Sequence, residues 1–136
     1  MEIEARRAYI RIRLEKAQDD LVTARDLLNM GHYRTSVNRA YYTVFHVASA
    51  ALLWLDVQRE KHSGIHSAFG EFFVKNGIVE PEFGKIYTDA RRAREQQDYS
   101  LTIEPIKREA TEKILGDTER FITRLERYLR EQGAIE

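Results

Sequence analysis

Arg39 and His46 stand seven residues apart in a stretch that is otherwise poor in charge. From Gly31 to Leu55 the chain carries two arginines, Arg34 and Arg39, and no acid. Seven residues are almost two turns of α-helix, so both side chains leave one face, with Cα atoms about 10 Å apart. A guanidinium stays protonated under ordinary conditions, and its fork suits a phosphate. An imidazole titrates near neutrality and can move protons. Thr35, Tyr42 and Ser49 continue the same polar strip, and Tyr42 offers a ring on which a base can stack. Such a strip could bind or cut RNA. The plainer alternative is that both residues are hydrogen-bonded inside a bundle. Arg39 needs a partner either way, because burying it alone is costly. Its own helix has no acid, which leaves an acid of another helix such as Asp98, a second subunit or a bound anion.

The helix that carries this pair reads as apolar nearly all round. Such a helix sits in the middle of a bundle or in an interface. Ala40, Tyr41, Val44, Phe45, Ala48, Ala51 and Leu52 are its packing residues. That apolar surface exceeds what a five-helix monomer needs, so a homodimer is expected.

Around it the helical period predicts four more segments. The first runs from about Glu4 to Met30, with Ile10, Leu14, Ala17, Leu21, Ala24 and Leu28 on one stripe and Gly31 as its stop. The motif segment runs from about His32 to Leu55. The third follows Lys61-His62-Ser63-Gly64, with Ser63 as N-cap, and ends near Asn76-Gly77. The fourth starts at Pro81, a good first-turn residue, and ends near Asp98-Tyr99. The fifth begins around Thr102 to Pro105 and runs to Gly133, with Ile106, Ala110, Ile114, Phe121, Ile122, Leu125 and Leu129 as its stripe. Residues after Gln132 are expected to fray. The fold class is all-α, an up-and-down bundle of about five helices with short connections, forming a single domain over 1–136.

Composition narrows the function classes. Lys plus Arg equals Asp plus Glu, at 22 each in 136 residues, so no global field drives the chain onto nucleic acid or anionic lipid. Any RNA affinity must come from a local patch. There are no cysteines, which excludes disulfides and thiolate zinc sites and fits a reduced cytosol. The charged N-terminus lacks the apolar core of a signal peptide, and no run is long and apolar enough to span a membrane. A cytoplasmic location is expected.

Two smaller signals remain. His62 and His66 have the spacing of two metal ligands on one helix face, but neither a glutamate nor a cysteine accompanies them, so no metal is expected. Arg91, Arg92 and Arg94 cluster on the fourth segment and could touch an RNA backbone. Arg91 and Arg92 read more simply as a solvated face, while Arg94 and Asp98 have ion-pair spacing.

The run from Ser36 to Leu53, with Arg39-Ala40-Tyr41-Tyr42 and Phe45-His46 at its centre, resembles the signature helix of HEPN domains. Lys61-His62-Ser63-Gly64 with Phe69-Gly70 and Phe73-Val74-Lys75 is similar to the K-x-H-S-G segment of that family's small stand-alone branch. Arg94 with Asp98-Tyr99 resembles its R-x-x-x-D-Y ending. The resemblance implies a four-helix-bundle core that dimerises through the motif helix. It implies metal-independent RNA cleavage to a 2′,3′-cyclic phosphate, with no cofactor. His46 would shuttle protons for the ribose 2′-hydroxyl, and Arg39 would hold the scissile phosphate. Asn38, Tyr42, His62, Arg94 and Asp98 are the candidate substrate contacts. It also implies a minimal nucleotidyltransferase as antitoxin partner. The alternative is a non-catalytic nucleotide- or partner-binding module that works with that enzyme. Ala40 directly after the motif arginine, the six-residue gap to His46, and Ala48 two residues beyond it depart from the strongest toxin pattern.

Overall fold

The computed structural model describes residues 1–99 and 104–136. Five α-helices follow one another: α1 Ile3–Asn29, α2 Tyr33–Trp54, α3 His62–Phe69, α4 Pro81–Tyr99 and α5 Arg108–Glu131. No strand occurs among the described residues. A π-helical segment, Gly70–Lys75, continues α3. It places Phe73 in the core beside Phe69, ring centroids 5.3 Å apart.

The turn between α1 and α2 sets the register of the whole site. Gly31 takes φ +82, a left-handed conformation that costs glycine least. The His32 N–H bonds the Leu27 carbonyl at 2.8 Å and the Gly31 N–H bonds that of Leu28 at 3.0 Å, which ends α1 in a Schellman motif. So short a turn makes α2 run back along α1. The facing pairs are symmetric about Met30. Ser36 Oγ donates to the Ala24 carbonyl at 2.7 Å, and Thr43 Oγ1 donates to that of Ala17 at 3.2 Å. Ala17, Ala24 and Ala40 are fully buried in this seam, and their small side chains let the two backbones approach.

The same reasoning orders the other helices. Arg124 of α5 bonds Glu80 just before α4, and Arg120 pairs with Glu82 in its first turn, so α4 and α5 are antiparallel. Asn38 meets Asp98, and Arg94 lies over Tyr41, so α2 and α4 are antiparallel too. The helical up-and-down bundle expected from the sequence is present, and α2 is the element that packs against all four other helices. Its packing residues Tyr41, Val44, Ala48, Ala51 and Leu52 are fully buried within one chain. Most of the apolar surface read as an excess for a dimer is therefore covered internally by α1, α3, α4 and α5, while Phe45 stays partly exposed.

Some expectations are corrected at the element ends and in the stripes. Ser63 is not the N-cap of α3, because Lys61 takes that extended position and His62 opens the helix. α5 starts at Arg108, later than Pro105, after an extended stretch; Thr102 lies outside the described residues. Its buried stripe uses Thr111, Leu115 and Thr118, with hydroxyls returned to Lys107 and Ile114 carbonyls at 2.8 Å, and Ala110 is exposed instead. The C-terminus does not fray at Gln132. Ala134 is 3% exposed in the core, and Arg7 Nε donates to the Gly133 carbonyl at 3.2 Å.

One core group is a liability. Tyr87 is fully buried, and its hydroxyl finds no hydrogen-bond partner. A buried unpaired hydroxyl costs about 1–3 kcal/mol. Tyr87→Phe keeps the ring and removes the orphan, so it should raise stability by about 1 kcal/mol or more, read as a higher urea midpoint at unchanged slope.

Candidate functional site

The Met30 register brings α1 residues under the polar strip of α2. Asp20 faces Arg39, and Arg13 faces His46. Arg39 Nη1 donates to Asp20 Oδ1 at 3.1 Å, and the other carboxylate oxygen, Oδ2, lies 3.7 Å from His46 Nε2. One carboxylate therefore bridges the guanidinium and the imidazole. On the far side of His46, Arg13 Nη1 lies 3.0 Å from Nδ1. A guanidinium can only donate, so neutral His46 accepts at Nδ1 and carries its proton on Nε2, towards Asp20. A ring held this way is a donor with no free lone pair, which departs from the proton-shuttling role that the resemblance implied.

The strip continues into α4 and α3. Asn38 Oδ1 accepts from Arg39 Nη2 at 2.8 Å, and Asn38 Nδ2 donates to Asp98 Oδ2 at 2.9 Å. Asp98 is thus two steps from Arg39 rather than its direct counter-ion. Arg94 Nε lies 3.6 Å from Asp98, at the expected helical spacing. Tyr42 lies under both arginines, 4.7 Å from the Arg39 guanidinium and 5.4 Å from that of Arg94. His62 stacks on Phe45 at 4.1 Å between centroids, and its Nδ1 meets the Tyr41 hydroxyl at 3.0 Å. The seven candidate residues, Asn38, Arg39, Tyr42, His46, His62, Arg94 and Asp98, therefore form one connected surface. Arg39 keeps 34% of its side chain exposed, enough to meet a ligand, while Asp20 and His46 keep 17% and 15%.

Electrostatics follow from that half-burial. Desolvation, with Arg13, Lys16, His62 and Arg39 adding repulsion, pushes the His46 pKa down to about 4. Desolvation also raises the Asp20 carboxyl above its usual range, against the pull of Arg39. His62 is lowered by burial and then by Arg94 and Arg91. The balance is a patch of three guanidinium groups facing two partly committed carboxylates, which suits an anionic ligand.

A model of the HEPN domain matches residues 10–128. The chain belongs to the HEPN family. Relatives of this HEPN domain include "Putative toxin MJ0605" from Methanocaldococcus jannaschii, 37% identical over 92% of both chains. "Putative toxin MJ0142" from the same organism is 32% identical over 95% of this chain and 86% of its own. A UPF0332 protein of Thermotoga maritima is 34% identical over 89% of each.

Reading the HEPN sequence alone misses Asp20 and Arg13. A partial signal existed: once α1 and α2 are taken as antiparallel about the Gly31 turn, Arg39 faces the stretch around residue 20 and His46 the stretch around residue 13, which narrows the partners without choosing among them. Two other readings change, those of Ser49 and Arg91. Ser49 is sealed, 6% exposed, with no partner for its hydroxyl. His66 does not share a ligand set with His62. It donates from Nε2 to Thr88 Oγ1 at 2.9 Å and accepts at Nδ1 from Arg91 at 3.0 Å. Arg91 is thus a half-buried structural donor rather than part of a solvated face, while Arg92 is exposed beside Asp89. The wide groove of about 830 Å³ lined by Arg7, Arg11, Leu14, Gln18 and Glu126 lies on the other side of α1 from Arg13 and Asp20, and holds none of the candidate residues.

The half-buried histidines give this HEPN fold a defined pH response. The folded-state pKa of His46 is about 4, against about 6.5 in an unfolded chain. The unfolded state binds the proton first as pH falls. Stability is complete above about pH 6.5 and is lost progressively towards about pH 4, by about 2 kcal/mol at pH 5. His62 and His66 are lowered by burial and act in the same direction. Urea unfolding at pH 7.5 and pH 5 should show this loss, and His46→Gln, which does not titrate, should reduce it.

Proposed function

We propose that this HEPN domain is a toxin-like, metal-independent endoribonuclease. The observation that carries the reading is the convergence of Arg39 and His46 on a single carboxylate, Asp20, from two directions. A phosphoryl group offers the same spread of anionic oxygens, and it would draw a bidentate guanidinium at least as strongly. In this reading Arg39 offsets charge on the scissile phosphate. His46 donates from Nε2, and Tyr42 and His62 flank the nucleotides. Asn38, Arg94 and Asp98 hold the arginine-tyrosine stack in place. The toxin names of two relatives support the same class.

The test is cleavage of a structured RNA by the purified protein in excess chelator. The expected products carry 2′,3′-cyclic phosphate and 5′-hydroxyl ends, and His46→Ala should lower the rate by about 10²-fold or more. Unchanged cleavage in that variant would remove the assignment.

A second reading is favoured by one observation, the commitment of the His46 Nδ1 lone pair to Arg13. A site whose histidines offer no free lone pair can bind a nucleotide without cutting it. The domain would then serve as a nucleotide- or partner-binding module beside a minimal nucleotidyltransferase. Tight nucleotide binding without cleavage selects this reading.

In both cases we place the single domain, 1–136, as a cytoplasmic homodimer with a nucleotidyltransferase partner. Tyr9 and Ile12 are about half exposed on α1 near the Arg13 face and would contribute to a symmetric contact. No described helix is long and apolar enough to cross a membrane. Light scattering that gives a monomer at micromolar concentration would rule out the dimer, and co-purification tests the partner.

A further inference from the structure

We infer that Asp20 of α1 is a catalytic residue of this site: it yields Arg39 to the scissile phosphate and takes the proton of the attacking 2′-hydroxyl. This rests on the ribonuclease reading above. Three observations lead to it. Asp20 occupies the position that a phosphate would need, with Oδ1 3.1 Å from Arg39 Nη1 and Oδ2 3.7 Å from His46 Nε2. An incoming phosphate therefore meets Asp20 at the attack point and competes with it for the same two donors.

The second observation concerns the histidines. His46 accepts from Arg13 at Nδ1 and carries its hydrogen on Nε2, so it has no lone pair to offer. His62 is similarly occupied. The Tyr41 hydroxyl at its Nδ1 is buried, and with no other acceptor it must donate to the ring or stand unpaired. That leaves neutral His62 with Nε2–H outward. Asp98 is held by Asn38 and Arg94. Among the described residues, Asp20 is the acceptor placed at the Arg39–His46 centre.

The third is its setting. The charged groups facing Asp20 are Asp19 and Lys16 of α1 and Arg39 and His46 of α2, with Arg13 behind the imidazole. Burial already lifts its carboxyl above the usual range. Handing Arg39 to a phosphate removes its main cation and brings an anion beside it. Both changes raise the carboxyl further, towards the range where a general base works near neutral pH.

The step balances without a metal or redox partner. The 2′-hydroxyl proton passes to an Asp20 oxygen, the 2′-oxygen bonds to phosphorus, and the bond from phosphorus to O5′ breaks. O5′ takes a proton from water, and the Asp20 acid returns its proton to the resulting hydroxide. Arg39 and the Nε2–H of His46 stay on the non-bridging oxygens. The products are a 2′,3′-cyclic phosphate and a 5′-hydroxyl.

The experiment compares the whole protein with Asp20→Asn, Asp20→Glu and His46→Ala, measuring single-turnover cleavage of an RNA oligonucleotide in chelator, RNA affinity by anisotropy, and the pH profile of the rate. Asp20→Asn keeps an acceptor for Arg39, and thermal melts check its fold. It should cleave about 10²-fold or more slowly, yet bind RNA as tightly or more tightly because a negative charge is gone. The natural protein should lose rate as pH falls and the carboxyl protonates. That acid limb should be absent from the residual activity of Asp20→Asn and present, but displaced, in Asp20→Glu. If Asp20→Asn does not fold, the displaced limb of Asp20→Glu decides, and an undisplaced limb overturns the inference. Cleavage by Asp20→Asn within threefold of the natural rate overturns it as well. Loss of cleavage in His46→Ala with retention in Asp20→Asn sinks the inference while sparing the ribonuclease reading. No cleavage by the natural protein sinks both.

Discussion

Arg39→Ala is expected, on the proposed ribonuclease reading, to lower RNA cleavage by about 10³-fold, the largest functional effect of any single change in this chain. Arg39 is the guanidinium at the centre of the network, bonded to Asp20 and Asn38 and lying over the Tyr42 ring. A phosphate that gains charge in the transition state needs that fork, and alanine offers nothing in its place. Arg39→Lys returns the charge but not the paired donors, so it should recover only part of the rate. Removing Arg39 also leaves Asp20 half-buried without its cation. The cost should be about 1–2 kcal/mol, softened because burial already raises the carboxyl pKa. Adding Asp20→Ala to Arg39→Ala should return part of that stability and none of the cleavage. Rates within tenfold of the natural protein for Arg39→Ala would show that the strip is structural.

Phe121→Ala should cause the largest loss of stability. Phe121 is fully buried on α5, with its ring 5.2 Å from Phe69 and 6.0 Å from Tyr87. These three rings join α5 to α3 and α4 in one aromatic layer, continued by Phe73. Truncation removes the ring contacts and leaves a cavity that rigid neighbours cannot fill, at about 3–5 kcal/mol. That is a large share of the 5–15 kcal/mol typical of a domain, and should lower Tm by roughly 10–20 °C. The effect should extend to the site, because α4 carries Arg94 and Asp98 and is seated through Tyr87. Calorimetry is the direct check. A drop of only a few degrees would mean that the layer collapses around the gap.

Much of the architecture was legible from residue spacing alone. The α1 stripe from Ile10 to Ala24, the start of α4 at Pro81, and the stop at Gly31 follow from local chemistry, since a helix exposes its period and its ends in sequence. Arg39 and His46 could be placed on one face for the same reason, and the lack of any acid on α2 showed that a partner had to come from elsewhere. The family likeness supplied His62 and made Arg94 and Asp98, already paired by their spacing, candidate contacts; the fold does bring all three to that face.

Only the packed bundle decided which charges meet. α1 is charged on most of its circumference, so periodicity could not single out Asp20 and Arg13 from Asp19, Lys16 or Arg11. That choice depends on the angle and register at which the Ala17–Ala24 seam accepts α2, and both are set by many side chains at once. The same holds for Ser49, polar by type yet sealed by its neighbours, and for Ala134, terminal by position yet docked in the core. Local sequence determines which residues share a helix face. What that face meets is fixed by close packing across helices distant in the chain, and here that packing set the protonation of His46 and the partner of Arg39.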